Sequence, residues 1–184
     1  MVKRPSVLVV FHTSEGQTAK IAERIATVLH GRGLAVDVSA VQSAPAPDGY
    51  DAVVVGDSIH VVKHSRAMIR YLEEHAARLD AMPAAVFQVS LTSANPDAEH
   101  TATAHALLQE LLDRTGFDPD IVGLFAGALV YTQYGWLKRH VMRAIVKREG
   151  GDLDTSRDFE YTDWSAVEHF ADDVATLVAS TTDS

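Results

Sequence analysis

Thr13-Ser14-Glu15-Gly16-Gln17-Thr18 is a polar stretch at the point where the first predicted strand turns into the first predicted helix. It follows the apolar run Val7–Phe11, which is typical of a buried strand, and precedes Ala19–His30, whose apolar residues recur at helical spacing. A helix N-terminus after a strand presents unpaired backbone N–H groups and a partial positive charge. The stretch therefore predicts an anion-binding loop with neutral donors, because it contains no Lys or Arg.

This loop does not match the two common nucleotide-binding motifs. A P-loop requires Gly-Lys followed by Ser or Thr, whereas Gly16 is followed by Gln17. A dinucleotide fingerprint requires three spaced glycines, and Gly16 is the one glycine in the stretch. The alternative interpretation is a helix that is capped by Thr13 or Ser14 and binds no ligand.

The composition indicates one globular domain over residues 1–184. A length of 184 residues, with 47% hydrophobic and 22% charged residues, allows a substantial core. The absence of cysteine excludes thiol catalysis, disulfides and thiolate metal sites. A net charge of -9 argues against nucleic-acid binding. Because the apolar runs are short and no signal peptide is recognisable, we expect a cytoplasmic protein.

Strand-like apolar runs alternate with helical patterns along the chain. In order, the predicted elements are Val7–Phe11, Ala19–His30, Leu34–Ser39, Asp51–Gly56, Ser65–Leu79, Ala84–Leu91, Thr101–Arg114, Ile121–Leu129 and a last helix that begins at Thr162-Asp163. Alternation of this kind, with continuous apolar strands, predicts an α/β fold with a parallel sheet covered on both faces. The connection between the fifth strand and the last helix, about residues 131–160, is too long for an ordinary loop and predicts an insert.

The insert contains a basic helical pattern in a chain that is otherwise acidic. From Tyr134 to Arg148, apolar and basic residues recur on different helical faces. The cations are Lys138, Arg139, Arg143, Lys147 and Arg148. Because Tyr134 and Trp136 suit a membrane interface, we expect residues 134–148 to form a contact surface. A solvated helix face is the alternative.

Four stretches, in the right order along the chain, resemble a known family. They are Thr13 to Thr18; Gly56-Asp57-Ser58-Ile59 with His64-Ser65; Ala126-Gly127-Ala128-Leu129; and Gly150 to Thr155 continuing to Tyr161-Thr162-Asp163-Trp164. Together they resemble flavodoxin-fold proteins and, more narrowly, the menaquinone-dependent protoporphyrinogen IX dehydrogenase family. The first stretch is shared by flavodoxins generally, whereas the last stretch and the insert are more specific to this family.

The resemblance implies a flavodoxin-like three-layer sandwich with a five-stranded parallel sheet of order 2-1-3-4-5 and a helical insert before the last helix. It implies FMN as cofactor, and in such sheets ligands lie at the carboxyl ends of the strands, where the strand order reverses. The implied FMN-binding residues follow the first, third and fourth strands. They are Thr13, Ser14, Glu15, Gly16, Gln17 and Thr18; Asp57, Ser58, Ile59 and His60; and Ser90, Leu91 and Thr92.

The activity that the resemblance implies is oxidation of protoporphyrinogen IX to protoporphyrin IX in heme biosynthesis, with a quinone as electron acceptor. Electron-carrier flavodoxins usually sandwich the flavin ring between aromatic residues, but Asp57–Ser65 and Ser90–His100 contain none. An open ring face suits a quinone or a flat substrate. No side chain is an evident catalytic base, and a soluble electron-transfer flavodoxin is the alternative. The insert would then contact the porphyrinogen, or a membrane at its cytoplasmic face.

Two other interpretations of the site residues are weaker. Asp57 has the place of the phosphoacceptor in receiver domains, but His12 stands where these domains need an acidic pair. The histidines are scattered, and the close pair His60 and His64 is typical of a surface loop. We therefore expect neither phosphotransfer nor a metal site.

Overall fold

Strands and helices alternate along the chain in the computed structural model, which describes residues 4–59, 63–90, 98–129 and 159–182. The strands of the main sheet are β1 (Ser6–Phe11), β2 (Ala35–Ala40), β3 (Ala52–Ser58), β4 (Ala84–Ser90) and β5 (Ile121–Ala126). The helices of the described residues are α1 (Gln17–Gly31), α2 (Arg66–Leu79), α3 (Ala98–Thr115) and α4 (Trp164–Thr182). A short 3-10 helix, Pro47–Gly49, precedes β3.

The five strands form one sheet in the order β2-β1-β3-β4-β5, and all neighbours are parallel. This confirms the predicted fold class and strand order. The strand order reverses between β1 and β3, whose last paired residues are Phe11 and Gly56. The loops that follow these two strands therefore leave the sheet side by side, which is where such sheets bind ligands.

Both faces of the sheet are covered, and the strand β1 shows this in a continuous apolar run from Val7 to Phe11. Val7 and Val9 of β1 pack with the core formed by α1 and α4, whereas Leu8 and Val10 pack with the core on the side of α2 and α3. All four are fully buried. A parallel sheet buried on two faces requires this continuous pattern rather than alternation.

The fifth strand ends earlier than the sequence predicts. The apolar run Ile121–Leu129 was expected to be one strand, but β5 ends at Ala126. Ala128–Leu129 forms a separate strand, β6, which pairs antiparallel with β7 (Phe159–Glu160). Hydrophobicity continues through the break because both segments are apolar, so it does not reveal the change of partner at Gly127. Of the expected insert, 131–160, only residues 159 and 160 are described, and the expected helix at 134–148 lies outside the described residues.

We expect Gly56→Ala to destabilise the fold. A Cβ at this position would overlap the ring of Phe87, its register partner in β4. That ring is fully buried and packs against Phe125 and Phe170, with ring centroids 5.9 and 6.1 Å away. Because the ring has no free space, overpacking should lower the free energy of unfolding by about 1–3 kcal/mol, measured by urea denaturation.

Gly31→Ala is the matched control. A Cβ on Gly31, the last residue of α1, meets nothing within 4 Å. Its unfolding free energy should equal that of the wild type or exceed it slightly, since alanine restricts the unfolded chain. Equal stability of both variants would contradict the packing described for β3 and β4.

Candidate functional site

Gly16 shapes the loop between β1 and α1. It precedes the helix in a left-handed conformation (φ 90°, ψ -17°), which favours glycine, and a Cβ there would meet nothing within 4 Å. Its N–H donates to Thr13 Oγ1 at 2.9 Å, which closes the loop. No side chain caps α1, so the amides of its first turn have no side-chain acceptor at the N-cap. The alternative of a helix capped by Thr13 or Ser14 is therefore wrong.

The polar side chains at the ends of β1 and β3 and at the start of α1 differ in their exposure. Ser14 is exposed, and its Oγ lies 3.4 Å from Oγ of Ser58 at the end of β3. Gln17 and Thr18, at the start of α1, are buried. Of the three hydroxyl residues Ser14, Thr18 and Ser58, Ser14 is therefore the most exposed and Thr18 is buried.

Gln17 links the start of α1 to the far end of the chain. Its Nε2 donates to Thr162 Oγ1 at 2.9 Å, and that hydroxyl donates to the carbonyl oxygen of Ala126 at 2.7 Å. Close by, Lys20 Nζ lies 3.5 Å from Glu160 Oε2. The resemblance placed Gln17 among the cofactor-binding residues, but its side-chain amide is hydrogen-bonded to Thr162. Its backbone N–H remains in the first turn of the helix.

Asp57 is a buried carboxylate between two histidines. Oδ1 lies 3.1 Å from Nδ1 of His12, and Oδ2 lies 2.9 Å from Nδ1 of His64. The backbone N–H of Ser65 also donates to Oδ2, at 2.8 Å. Because an ionised carboxylate only accepts, Nδ1 of each histidine carries the hydrogen. We refer to these three side chains as the His12–Asp57–His64 cluster.

The environment of Asp57 keeps this carboxylate ionised. Burial by itself raises the pKa of the Asp57 carboxyl, whose side chain is 1% exposed. The hydrogen bonds from the two histidines and from the Ser65 amide outweigh burial and hold the pKa below its ordinary value of 3.8. Asp57 is therefore a fixed negative charge at the end of β3, directed at its neighbours in the protein.

The loops after β3, β4 and β5 are joined through their backbones. Ile59 N–H donates to the carbonyl oxygen of Val89 at 2.8 Å, and Gly127 N–H donates to that of Ser90 at 3.1 Å. Ser90, expected at the cofactor, is buried. Three other expected contacts, His60, Leu91 and Thr92, lie outside the described residues.

Two further properties concern the described ranges only. They contain no group of three or more His, Cys, Asp or Glu side chains that could hold a metal ion. Nor is any helix within them both long and apolar enough to cross a membrane.

The fold and the loop at the point where the strand order reverses define a flavodoxin-like protein. Residues 8–156 match the family described as a flavodoxin domain, which implies a flavin cofactor. Among solved structures, a flavodoxin from the domain Archaea superposes with a TM-score of 0.55 at 17% sequence identity. That match covers 95% of this chain and 99% of the other, and it is a likeness of fold.

Two curated relatives place the chain more narrowly. It is 35% identical over 172 residues to protoporphyrinogen IX dehydrogenase [quinone] of Escherichia coli K12, covering 92% of this chain and 94% of that protein. It is 37% identical over 177 residues to the protein of the same name from Leishmania major, covering 94% and 76%. The chain belongs to the flavodoxin-domain family and, within it, to the family of the quinone-linked protoporphyrinogen IX dehydrogenases. The family expected from the four stretches is confirmed.

We expect Asp57→Asn to destabilise the protein at neutral pH and to have less effect in acid. The NH2 group of asparagine is a donor, so it would face a histidine or amide N–H that now donates to a carboxylate oxygen. The loss of that hydrogen bond should lower the free energy of unfolding by about 1–3 kcal/mol. Since the folded pKa of Asp57 lies below the ordinary value of 3.8, its contribution is complete above that value. It is lost as the pH falls through the folded pKa.

The measurement is urea denaturation at pH values from about 7 down to about 3. The difference between wild type and Asp57→Asn should shrink toward the acid end of this range. Asp118→Asn, at an exposed position, is the control and should differ little from the wild type at any pH. A wild-type advantage over Asp57→Asn that stayed constant with pH would refute the ionised hydrogen-bonded carboxylate.

Proposed function

We propose that this protein is an FMN-dependent oxidoreductase that oxidises protoporphyrinogen IX to protoporphyrin IX with a quinone as electron acceptor. The observation that carries the proposal is 35–37% identity over more than nine-tenths of the chain to two dehydrogenases of that name. Similarity to flavodoxins at 17% identity supports the fold alone, because one fold hosts many functions.

The groups at the end of β1 and β3 fit the phosphate of FMN. The helix α1 begins after Gly16 without a side-chain cap, and the Ser14 and Ser58 hydroxyls at the ends of the two strands lie 3.4 Å apart. Amides at a helix N-terminus and hydroxyls are good donors to a phosphate. The open position over Gly16, where no atom lies within 4 Å of a built Cβ, leaves room for the ligand.

The chain's part in the reaction is to position the cofactor and the substrate. When bound, the flavin supplies the hydride chemistry. Ser14 and Ser58 would donate to the phosphate, and Thr13 holds the loop in shape through the Gly16 amide. The Ile59 amide is fixed to β4, which restrains the loop that leads toward the ring. Because neither this loop nor the loop after β4 contains an aromatic residue, a flat substrate or a quinone would have access to the ring.

An anaerobic assay with purified protein tests this function. Protein loaded with FMN should convert protoporphyrinogen IX to fluorescent porphyrin over many turnovers, and only when a quinone is present. Protein loaded with riboflavin is the control for phosphate recognition, and we expect it to lose flavin on dilution. If no quinone-dependent porphyrin formed beyond one equivalent of flavin, the enzymatic function would be rejected in favour of a soluble electron carrier.

We propose in addition that residues 134–148 contact an anionic partner at the cytoplasmic face of the membrane. Five cations in this segment reverse the sign of charge in a chain of net charge -9. Anionic lipid attracts each nearby cation by about 1 kcal/mol, so the cluster would hold the protein weakly at a surface that contains quinone. Arginine in the same segment is also suited to pair with the carboxylates of a porphyrinogen.

Charge reversal separates this contact from a general effect of charge. The double change Arg139→Glu with Arg143→Glu should abolish binding to vesicles of mixed neutral and anionic lipid at low salt. Arg66→Glu with Arg70→Glu makes the same change in net charge at exposed positions of α2 and should leave binding within about twofold. Cosedimentation measures both. Equal loss of binding in the two variants would mean that net charge alone is responsible.

A further inference from the structure

We propose that His12 is a proton-linked recognition residue for the cofactor phosphate, so that the protein takes up a proton at this imidazole when FMN binds. The inference rests on the proposed FMN site, but it does not depend on which substrate the enzyme oxidises. It assigns to His12 a role that the loop motif does not contain, since the motif begins at Thr13.

The position of His12 makes it the accessible member of the His12–Asp57–His64 cluster. Its side chain is 21% exposed, whereas those of Asp57 and His64 are 1% and 6% exposed. It directly precedes the loop, and its Nδ1 lies 3.5 Å from Ser58 Oγ. That oxygen lies 3.4 Å from Ser14 Oγ. A continuous row of polar contacts thus leads from the buried carboxylate to the hydroxyls that border the phosphate position.

Charge balance supplies the reason for proton uptake. A phosphate monoester carries about -1.5 to -2 at pH 7, and a helix N-terminus offers only about half a positive charge. The buried Asp57 carboxylate adds a second negative charge close by, in an interior where screening is weak. Lys20, in the first turns of α1, contacts Glu160 at 3.5 Å. A proton on His12, whose Nδ1 lies 3.1 Å from Asp57 Oδ1 and 3.5 Å from Ser58 Oγ, would reduce this repulsion.

The hydrogen-bond pattern leaves His12 able to take that proton. Its Nδ1 hydrogen is directed at Asp57 Oδ1 at 3.1 Å, so the proton would add at Nε2. Asp57 from β3 contacts His12, and His64 contacts the other oxygen of the same carboxylate. Glu15 and Lys20 follow His12 along the chain, and Lys63 directly precedes His64. Carboxylates and lysines ordinarily keep their charge between about pH 5.5 and 8. The one other group of an ordinarily titrating type in this set is His64.

The experiment uses the full-length protein loaded with FMN. Loaded protein is diluted at a series of pH values between about 5.5 and 8, and released flavin is measured by its fluorescence. The slope of log Kd against pH gives the net number of protons taken up on binding. We expect the Kd for FMN to rise roughly five- to tenfold between pH 6 and 7.5. The Kd for riboflavin, which lacks the phosphate, should stay flat.

Two variants assign the proton to one imidazole. In His12→Asn the side-chain NH2 still donates to Asp57 but takes up no proton, so the rise in Kd should disappear. The second ionisation of free FMN, near about pH 6, contributes equally to wild type and variant, so their difference isolates the imidazole. His64→Asn makes the same change on the other carboxylate oxygen and should keep the rise. Loss of the rise in His64→Asn, alone or together with His12→Asn, would overturn the assignment to His12.

The wild type alone also decides the question if a variant does not fold. Once the contribution of the second ionisation of free FMN has been subtracted, equal slopes for FMN and riboflavin in the wild-type protein would overturn the inference without any substitution. This result differs from failure of the proposed function, because FMN would bind normally and porphyrinogen could still be oxidised. Conversely, failure to bind FMN at any pH would reject both the proposed cofactor and this inference.

Discussion

The three hydrogen bonds accepted by the buried Asp57 carboxylate are the constraint on which the geometry of the site depends. Through His12 they hold the end of β1, and through His64 and the Ser65 amide they hold the start of α2. A charge buried in this way is tolerated only when its partners are complete, because removing one leaves an uncompensated ion in the interior. The same contacts that satisfy the charge therefore fix two loops relative to each other.

A second set of contacts holds the opposite side of the same loop. Gln17 at the start of α1, Thr162 before α4 and the carbonyl of Ala126 at the end of β5 form one hydrogen-bonded row. The row joins residues that are 145 positions apart in the chain. The loop at Gly16 is thus held through β3 on one side and through Thr162 and Ala126 on the other. If it binds the phosphate as proposed, its donors are positioned beforehand, which lowers the cost of binding.

Most of the fold could be predicted from the sequence, because buried parallel strands are continuous apolar runs and the helices have apolar residues at regular spacing. The pattern did not show which strands pair with each other. The apolar run after Ile121 breaks at Gly127, and Ala128–Leu129 pairs with β7. The burial of Gln17 and Thr18 could have been predicted from the sequence. They lie four residues before the buried Ile21 and Ala22, on the same face of the helix.

The cluster around Asp57 shows where sequence reasoning about the site was incomplete. His12 and Asp57 were considered together as a mismatch to a receiver domain, and Asp57 was also expected to bind FMN, but a contact between the two side chains was not predicted. Their proximity follows from register, because Phe11 pairs with Gly56 and each of the two residues is the next in its chain. Strand register depends on tertiary packing. From a single sequence the polar residues of such a cluster can be named, but their contact with each other cannot be predicted.

The chain combines a fold shared with flavodoxins and a segment between β6 and β7 that this fold does not need. The two parts are expected to contribute differently to function. The sheet and its helices are what this chain shares with a flavodoxin that matches it at only 17% identity, and that likeness concerns the fold alone. Identity of 35% over nearly the whole length extends through the segment between β6 and β7, which a minimal alternating fold does not need. The features that would distinguish a dehydrogenase from a carrier should therefore lie in that segment and in the loops free of aromatic residues. On the proposed function, the shared fold would position the flavin, and residues outside the minimal alternating fold would select the substrate.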